Sequence, residues 1–124
     1  MTAKKAINLA DKRMPGNGYS TEEKYAWLTS LEMMCIRFVR GLGYAVEDIV
    51  LGEELGDREL LIGEPYAECY VLWLIMKMHY YNGEVELYNN SAEAVNIIID
   101  KAQKAFIREN RAVKSHSFSS YREV

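Results

Sequence analysis

The sequence has few of the residue types that build catalytic and metal sites. It contains two cysteines and two histidines in 124 residues. Cys35 and Cys69 fall in apolar helical patterns without a cysteine or histidine at metal-ligand spacing, so we expect buried thiols and no zinc site. His116 lies in a polar C-terminal stretch. His79 ends an apolar helix, where a packed or hydrogen-bonded imidazole is expected.

Recognisable catalytic patterns are also missing. A nucleophile–base pair needs serine or cysteine held near a histidine, and neither histidine stands in a setting that indicates one. No glycine-rich phosphate-binding loop occurs, and the acidic residues lack the spacing of a calcium-binding loop. We therefore expect neither an enzyme nor a bound cofactor or metal.

Long apolar runs and an excess of positive charge are absent as well. The longest uncharged apolar run, residues 69–76, has eight residues, whereas a membrane-spanning helix needs about 20. The N-terminal residues lack the apolar region of a signal peptide. The net charge of −3 argues against a general nucleic-acid binder, which normally carries a basic stripe. These features predict a cytoplasmic protein without membrane contact.

The sequence does contain helical patterns, and these predict a mostly all-α fold with one four-helix domain over residues 1–110. Apolar residues make up 49% of the chain and charged residues 27%, which suits a single domain with its own core. Thr2 caps a first helix over residues 2–13. The apolar positions of this helix share one narrow face and are Ala3, Ala6, Ile7 and Ala10.

The second helix has a clear start and a clear end. Ser20 and Glu23 form a capping box, in which each side chain satisfies a free amide of the other residue. Apolar residues then recur at three- and four-residue spacing until Gly41 and Gly43 end the helix.

The third and fourth helices carry the most apolar surface. The third is predicted to begin with Pro65 and to run to about Tyr81, with apolar residues on nearly every side, so it should be central. The fourth starts near Gly83 and Glu84. Its heptad seam consists of Val85, Tyr88, Ala92, Val95, Ile99, Ala102 and Phe106, and a second apolar strip consists of Leu87, Ala94, Ile98 and Ala105. One strip can face the third helix, and the other needs a second helix or a neighbouring subunit.

Residues 42–64 form a long connection without helical periodicity. They contain seven acids and one base, Arg58. A connection of this length inside a compact domain is usually functional or disordered, and its apolar residues argue against plain disorder. Two interpretations stay open. The connection either contains short strands or an arm that docks on another surface, or it is a solvated loop that is partly buried where it joins the domain.

Residues 111–124 are polar, serine-rich and aperiodic, which predicts a flexible C-terminal tail. Phe118 and Tyr121 provide two aromatic side chains among three bases and one acid. Such a segment either becomes ordered on a partner or simply frays.

The connection between the third and fourth helices is rich in tyrosine and asparagine. Asn82 and Gly83 tolerate positive φ and permit a tight reversal of the chain. We expect the tyrosines to pack across the hairpin, with hydroxyls near the last two asparagines. A hairpin corner with no contact outside the subunit is the alternative to an interaction surface. The residues of this hairpin motif are Tyr80, Tyr81, Asn82, Gly83, Tyr88, Asn89 and Asn90.

With these residues in view, the chain resembles the head–tail connector proteins of tailed phages and prophages, also called head-completion adaptors. The stronger likeness lies in residues 65–91, through the motif YYNGE at 80–84 and YNNS at 88–91. A weaker likeness lies in residues 10–32. His79 departs from the pattern, because an acidic residue is expected there, and residues 41–63 match poorly.

The resemblance implies a four-helix subunit with a long loop that assembles into a ring, typically of twelve copies. Such a ring lies beneath the portal at the head–tail junction of the virion, after assembly in the host cytoplasm. It extends the channel through which DNA passes without specific binding, and it meets a stopper or tail-completion protein. The resemblance and position indicate a portal-contacting tail with Arg111, Lys114, Phe118, Tyr121 and Arg122. The acidity of residues 42–64 separately suggests the hypothesis that Glu53, Glu54 and Asp57 line the channel, where they would repel DNA phosphate.

Two other classes of function stay open. A small helical regulatory or nucleic-acid-binding module would use the bases of the first helix, namely Lys4, Lys5, Lys12 and Arg13. A small helical enzyme or ligand-binding protein would need a polar-lined pocket, which no pattern in the sequence indicates. Duplex binding that weakens steeply with salt would separate the nucleic-acid binder from a connector.

Overall fold

The computed structural model describes the backbone of residues 1–121 and the side chains of residues 1–110. Over that part of the chain the fold consists of four α-helices and one short 3-10 turn. These are α1 (Ala3–Arg13), α2 (Thr21–Gly41), the 3-10 turn Glu53–Leu55, α3 (Glu68–Tyr81) and α4 (Val85–Tyr121). The predicted mostly all-α, four-helix fold with a long connection between the second and third helices is confirmed.

The first two helices begin as their sequences predict. The Thr2 side chain accepts a hydrogen bond from the Lys5 amide, which caps α1. The Ser20 hydroxyl accepts from the Glu23 amide at 3.1 Å, and the Glu23 carboxylate accepts from the Ser20 amide at 3.0 Å. Both amides would otherwise lack a partner at a helix N-terminus. The four apolar residues on the predicted face of α1 are buried.

Helix α3 lies at the centre and packs against the other three helices, as its apolar composition predicts. One side chain of α3 also makes a specific contact with α2: the Trp73 indole donates a hydrogen bond of 2.7 Å to the Trp27 carbonyl. The predicted start at Pro65 is wrong. Residues 63–67 form a turn in which the Tyr66 amide donates to the Gly63 carbonyl, and α3 begins only at Glu68.

Helix α4 packs along α3. Val95, Ala102 and Ala105 are buried, so both predicted apolar strips contribute to the core, whereas Val85 is 69% exposed. The backbone stays helical to Tyr121, where the sequence predicts an aperiodic tail from residue 111. Neither glycine nor proline occurs after Gly83 to end the helix. The flexibility of residues 111–124 stays a prediction.

The connection between α2 and α3 docks on the start of α1. The Leu60 amide donates to the Met1 carbonyl and the Lys4 amide donates to the Gly56 carbonyl, both at 2.9 Å. Leu51 and Leu60 are buried. A Cβ on Gly56 would lie 2.6 Å from the Tyr25 hydroxyl, so this close approach requires glycine. Within the described residues the connection forms no strand, only one isolated bridge between Thr2 and Glu59.

Candidate assembly surfaces

The turn between α3 and α4 depends on a left-handed glycine and a small polar network. Gly83 has a φ of 75°, as predicted, whereas Asn82 has a φ of −79° and does not need its tolerance of positive φ. The Glu84 carboxylate accepts a hydrogen bond of 3.1 Å from the Asn82 amide and lies 2.8 Å from His79 Nδ1. These hydrogen bonds, the one to His79 above all, lower the pKa of Glu84. The network links His79, in the last turn of α3, to Glu84, the residue that precedes α4.

Aromatic rings cover this turn and join it to the start of α2. We call the set the tyrosine corner, and it consists of Tyr19, Trp27, Tyr80, Tyr81 and Tyr88. Tyr81 stacks on Trp27 with an interplanar angle of 11° and a centroid distance of 5.6 Å. Tyr80 lies between Tyr81 and Tyr88, at centroid distances of 5.0 and 5.5 Å. The hydroxyl of Tyr19 donates to Asn82 Oδ1. The rings are therefore held in place by one another and by the turn.

The tyrosine corner remains open to solvent although its rings are well supported. Tyr80 is 58% exposed and Tyr81 is 57% exposed. Asn89 and Asn90 are exposed too, and within residues 1–110 no hydrogen bond joins a tyrosine hydroxyl to either of them. Tyr80 packs across the hairpin on Tyr88, as predicted, but Tyr81 packs mainly towards α2.

A second surface is a groove on the far part of α4, which we call the α2–α4 groove. It has a volume of about 370 Å³ and lies between the end of α2, residues 61–66 and the second half of the described part of α4. Phe106 packs edge-on against Phe38, with ring centroids 6.4 Å apart, and so joins α4 to α2. The main apolar walls are Phe38, Val39, Leu61, Ile62, Ile99 and Phe106, and the charged rim is Glu64, Arg108 and Glu109.

A buried carboxylate holds one wall of this groove in place. Glu32 is 4% exposed. Its carboxylate accepts hydrogen bonds from the Leu61 amide at 2.7 Å and from the Tyr70 hydroxyl at 2.6 Å. The Tyr70 oxygen in turn accepts from the Ile62 amide at 2.8 Å. Burial raises the pKa of Glu32 and, together with the nearby carboxylate, that of Tyr70. The sequence analysis missed this network, although Glu32 stands on the apolar face of α2 between Leu28 and Cys35.

Neither cysteine has the properties of a reactive thiol. Cys35 and Cys69 are both buried and free. Burial, with a smaller effect of nearby groups, raises the pKa of each to about 12. A thiol with such a pKa is almost entirely protonated near neutral pH, and only the thiolate is a good nucleophile. The expectation that both are buried, unreactive residues agrees with these surroundings.

The candidate loop acids lie beside α1. The Lys4 ammonium is 3.9 Å from the Glu53 carboxylate and 3.6 Å from the Asp57 carboxylate, and all three side chains are exposed or half-exposed. Glu54 is exposed on the same 3-10 turn. The structure therefore brings these acids together at one end of α1, and the chain itself partly compensates their charge.

The candidate portal-contacting side chains fall outside the part of the molecule whose side chains are described. Positions 111, 114, 118 and 121 belong to the helical backbone of α4, and Arg122 lies outside the described residues. His116 is in the same segment.

No family model, no curated protein and no solved structure matches this chain. None of the helices, as far as the chain is described, is long and apolar enough to cross a membrane. Among the described side chains, no group of three or more His, Cys, Asp or Glu residues is arranged to hold a metal ion. The function is therefore considered from two surface features of the described residues, the tyrosine corner and the α2–α4 groove.

Proposed function

We propose that this protein is a structural subunit of a phage or prophage head–tail connector. Many copies, typically twelve in the family that the chain resembles, form a ring between the portal and a stopper or tail-completion protein, and this ring extends the DNA channel. The observation that carries the proposal is the tyrosine corner. The residues behind the resemblance form an exposed, well-supported aromatic surface, and exposed aromatic side chains are typical of protein interfaces.

The presence of two unlike surfaces fits a ring subunit. A closed ring uses head-to-tail interfaces, so each copy needs two different contact surfaces. The tyrosine corner projects from the turn between α3 and α4, whereas the α2–α4 groove is concave and apolar.

The remaining contacts of such a subunit are proposed from the resemblance and from charge. The C-terminal segment, with Arg111, Lys114, Phe118, Tyr121 and Arg122, is the proposed portal contact. The acids Glu53, Glu54 and Asp57 are proposed to face the channel, where negative charge repels phosphate and lets DNA pass. The protein accordingly acts in the host cytoplasm during assembly and at the head–tail junction of the virion, without catalysis, a cofactor or specific DNA binding.

The ion pairs of α1 argue against the alternative, a nucleic-acid-binding or regulatory module. Arg13 pairs with Glu68 at 2.7 Å, and Lys4 faces two acids. The remaining bases of the helix, Lys5 and Lys12, are exposed, but two charges give a weak electrostatic footprint compared with the several phosphate contacts that DNA binders make.

A binding titration against two partners separates these functions. The partners are the portal oligomer encoded beside this protein and a random-sequence DNA duplex, each measured at low and at moderate salt. A connector should bind the portal at both salt concentrations and show no useful affinity for duplex. Duplex binding that weakens steeply with salt, together with no portal binding, would favour the nucleic-acid alternative.

A further inference from the structure

We propose that Asn82 is a deamidation site and that the Tyr19 hydroxyl controls its rate by holding the Asn82 side chain. The chain contains two asparagine–glycine steps, Asn17–Gly18 and Asn82–Gly83. Such steps lose the side-chain amide readily, because glycine has no Cβ to hinder the approach of its nitrogen to the side-chain carbonyl. The proposal concerns a modification of the turn itself, so it does not depend on the proposed function.

Deamidation of Asn82 needs water as its only co-reactant. The Gly83 backbone nitrogen gives up its proton and attacks Cγ of Asn82, and the new N–Cγ bond closes a five-membered succinimide. The Cγ–Nδ2 bond breaks, and the side-chain nitrogen leaves as ammonia with that proton. Water then opens the ring at one of its two carbonyls, which leaves aspartate or isoaspartate at position 82. Asn82 is exposed, so water reaches it.

The folded turn keeps the reacting atoms of this step apart. Ring closure needs the Gly83 nitrogen to lie close to Cβ of Asn82, nearly eclipsed with it about the Cα–C bond. The Asn82 ψ of −8° instead nearly eclipses the Gly83 nitrogen with the nitrogen of Asn82 itself. The Gly83 amide also donates to the Tyr80 carbonyl at 3.1 Å, and the Asn82 amide donates to the Met78 carbonyl at 2.9 Å. Local opening of the turn must therefore precede the reaction.

Tyr19 holds the side chain that has to move. Its hydroxyl donates to Asn82 Oδ1, while Asn82 Nδ2 donates to the Glu84 carboxylate at 3.1 Å. The Tyr19 ring is itself held edge-on against Trp27, with centroids 5.3 Å apart. Attack on Cγ requires the Asn82 side chain to rotate, which breaks both of its hydrogen bonds. Tyr19 is thus a positioning residue that acts on the rate through Asn82.

The other asparagine–glycine step provides a control within the same molecule. Asn17 Oδ1 accepts a hydrogen bond of 3.3 Å from the backbone amide of Tyr19. Asn17 Nδ2 donates to the Asp11 carboxylate and to the Met14 carbonyl. The Tyr19 hydroxyl takes no part in these bonds. Removal of the hydroxyl alone should therefore change the reaction at Asn82 and leave the reaction at Asn17 as it is.

Conversion of Asn82 would change the tyrosine corner in charge and in shape. An aspartate at position 82 cannot donate to Glu84, so two carboxylates would face each other where a hydrogen bond now lies. An isoaspartate would also lengthen the main chain by an extra carbon between α3 and α4. The Tyr19 hydroxyl therefore preserves the corner chemically as well as by packing.

Site-resolved deamidation rates test the proposal. Folded wild type and Tyr19→Phe are incubated at mildly alkaline pH, and aspartate and isoaspartate at positions 17 and 82 are quantified by peptide mass spectrometry. The same measurement in guanidinium chloride gives the rates of the unfolded chain. Asn82 should react at least about tenfold more slowly in folded wild type than in the unfolded chain, because the turn must open first. Tyr19→Phe should accelerate the reaction at Asn82 about fivefold, the factor that corresponds to one hydrogen bond of ordinary strength, without a change at Asn17.

The matched control is Tyr80→Phe, which removes another hydroxyl of the tyrosine corner. Within residues 1–110 the Tyr80 hydroxyl makes no hydrogen bond to Asn82, so both rates should stay at their wild-type values. An unchanged rate at Asn82 in Tyr19→Phe would overturn the proposal. Equal acceleration at Asn17 and Asn82, or an equal effect of Tyr80→Phe, would also overturn it, because general loosening would then explain the rates. Folded wild type that converts Asn82 as fast as the unfolded chain would refute the protection itself.

Discussion

At the scale of single residues, the turn between α3 and α4 depends on the backbone freedom of Gly83. Its φ of 75° is rarely adopted by residues with a Cβ, although a Cβ there would meet no atom within 4 Å. Gly83→Ala should therefore cost about 1 kcal/mol through backbone strain alone. Urea unfolding of this variant and of Gly63→Ala, where φ is not positive and space is also open, measures the effect. An equal effect of the two substitutions would remove the strain argument.

The Tyr70 hydroxyl is a second residue-scale feature with a measurable effect. It links Glu32 to the Ile62 amide inside the core. Tyr70→Phe leaves both groups short of a partner, so it should lower the free energy of unfolding by about 1–3 kcal/mol. Tyr80→Phe is the matched control, because the Tyr80 ring is more than half exposed and its substitution should change stability by less than about 0.5 kcal/mol. Similar stabilities of the two variants would contradict the account of the buried network.

Glu32 should make stability depend on pH. Burial raises its pKa above the ordinary 4.5, although hydrogen bonds from Tyr70 and Leu61 oppose the shift. At pH values between the unfolded and the folded pKa, the folded chain therefore keeps a proton on Glu32 that the unfolded chain has lost. Its contribution to stability is complete below about pH 4.5 and is lost as the pH rises through the raised pKa. Urea titrations of wild type and Glu32→Gln across this range should show the wild-type advantage falling with rising pH. An advantage that grows with pH would contradict the raised pKa.

At the scale of helices, the N-terminal cap of α2 orients the start of the tyrosine corner, because Tyr19 directly precedes the capping residue. Ser20→Ala removes the hydroxyl that accepts from the Glu23 amide and should cost about 1 kcal/mol. Ser30→Ala lies on the exposed side of the same helix and should be close to neutral, since alanine is a good helix former. Thermal unfolding of both variants checks the cap, and a loss of stability in Ser30→Ala alone would be inconsistent with it.

The helices also show what local patterns in a sequence can and cannot predict. Caps, apolar spacing and glycine at a turn act within a few residues, so Thr2, Ser20 and Gly83 were identified correctly. The start of α3 was placed too early, because proline is acceptable at a first helical position but the chain forms a turn over residues 63–67 instead. The polar composition of residues 111–124 predicts a tail, but the α4 backbone stays helical to Tyr121, since neither glycine nor proline interrupts it.

At the scale of the whole molecule, the two candidate surfaces differ in how far the sequence indicates them. Three members of the tyrosine corner, Tyr80, Tyr81 and Tyr88, lie within one hairpin, where the sequence is rich in tyrosine and asparagine. The α2–α4 groove joins residues far apart in the chain, and its wall is set by the bond between Glu32 and the Leu61 amide. Such a contact leaves no local pattern, because it depends on how the long connection packs. Trp27 and Tyr19 were missed as parts of the corner for the same reason.

The proposed function requires that the protein assembles with a portal, and electron microscopy of a mixture of the two shows whether it does. The purified protein is mixed with the portal oligomer encoded alongside it, and the mixture is examined by negative-stain microscopy and native mass spectrometry. The account predicts a ring stacked coaxially on the portal at matching stoichiometry, which would also reveal the end that docks. Absence of any association while the portal remains intact would contradict the connector function.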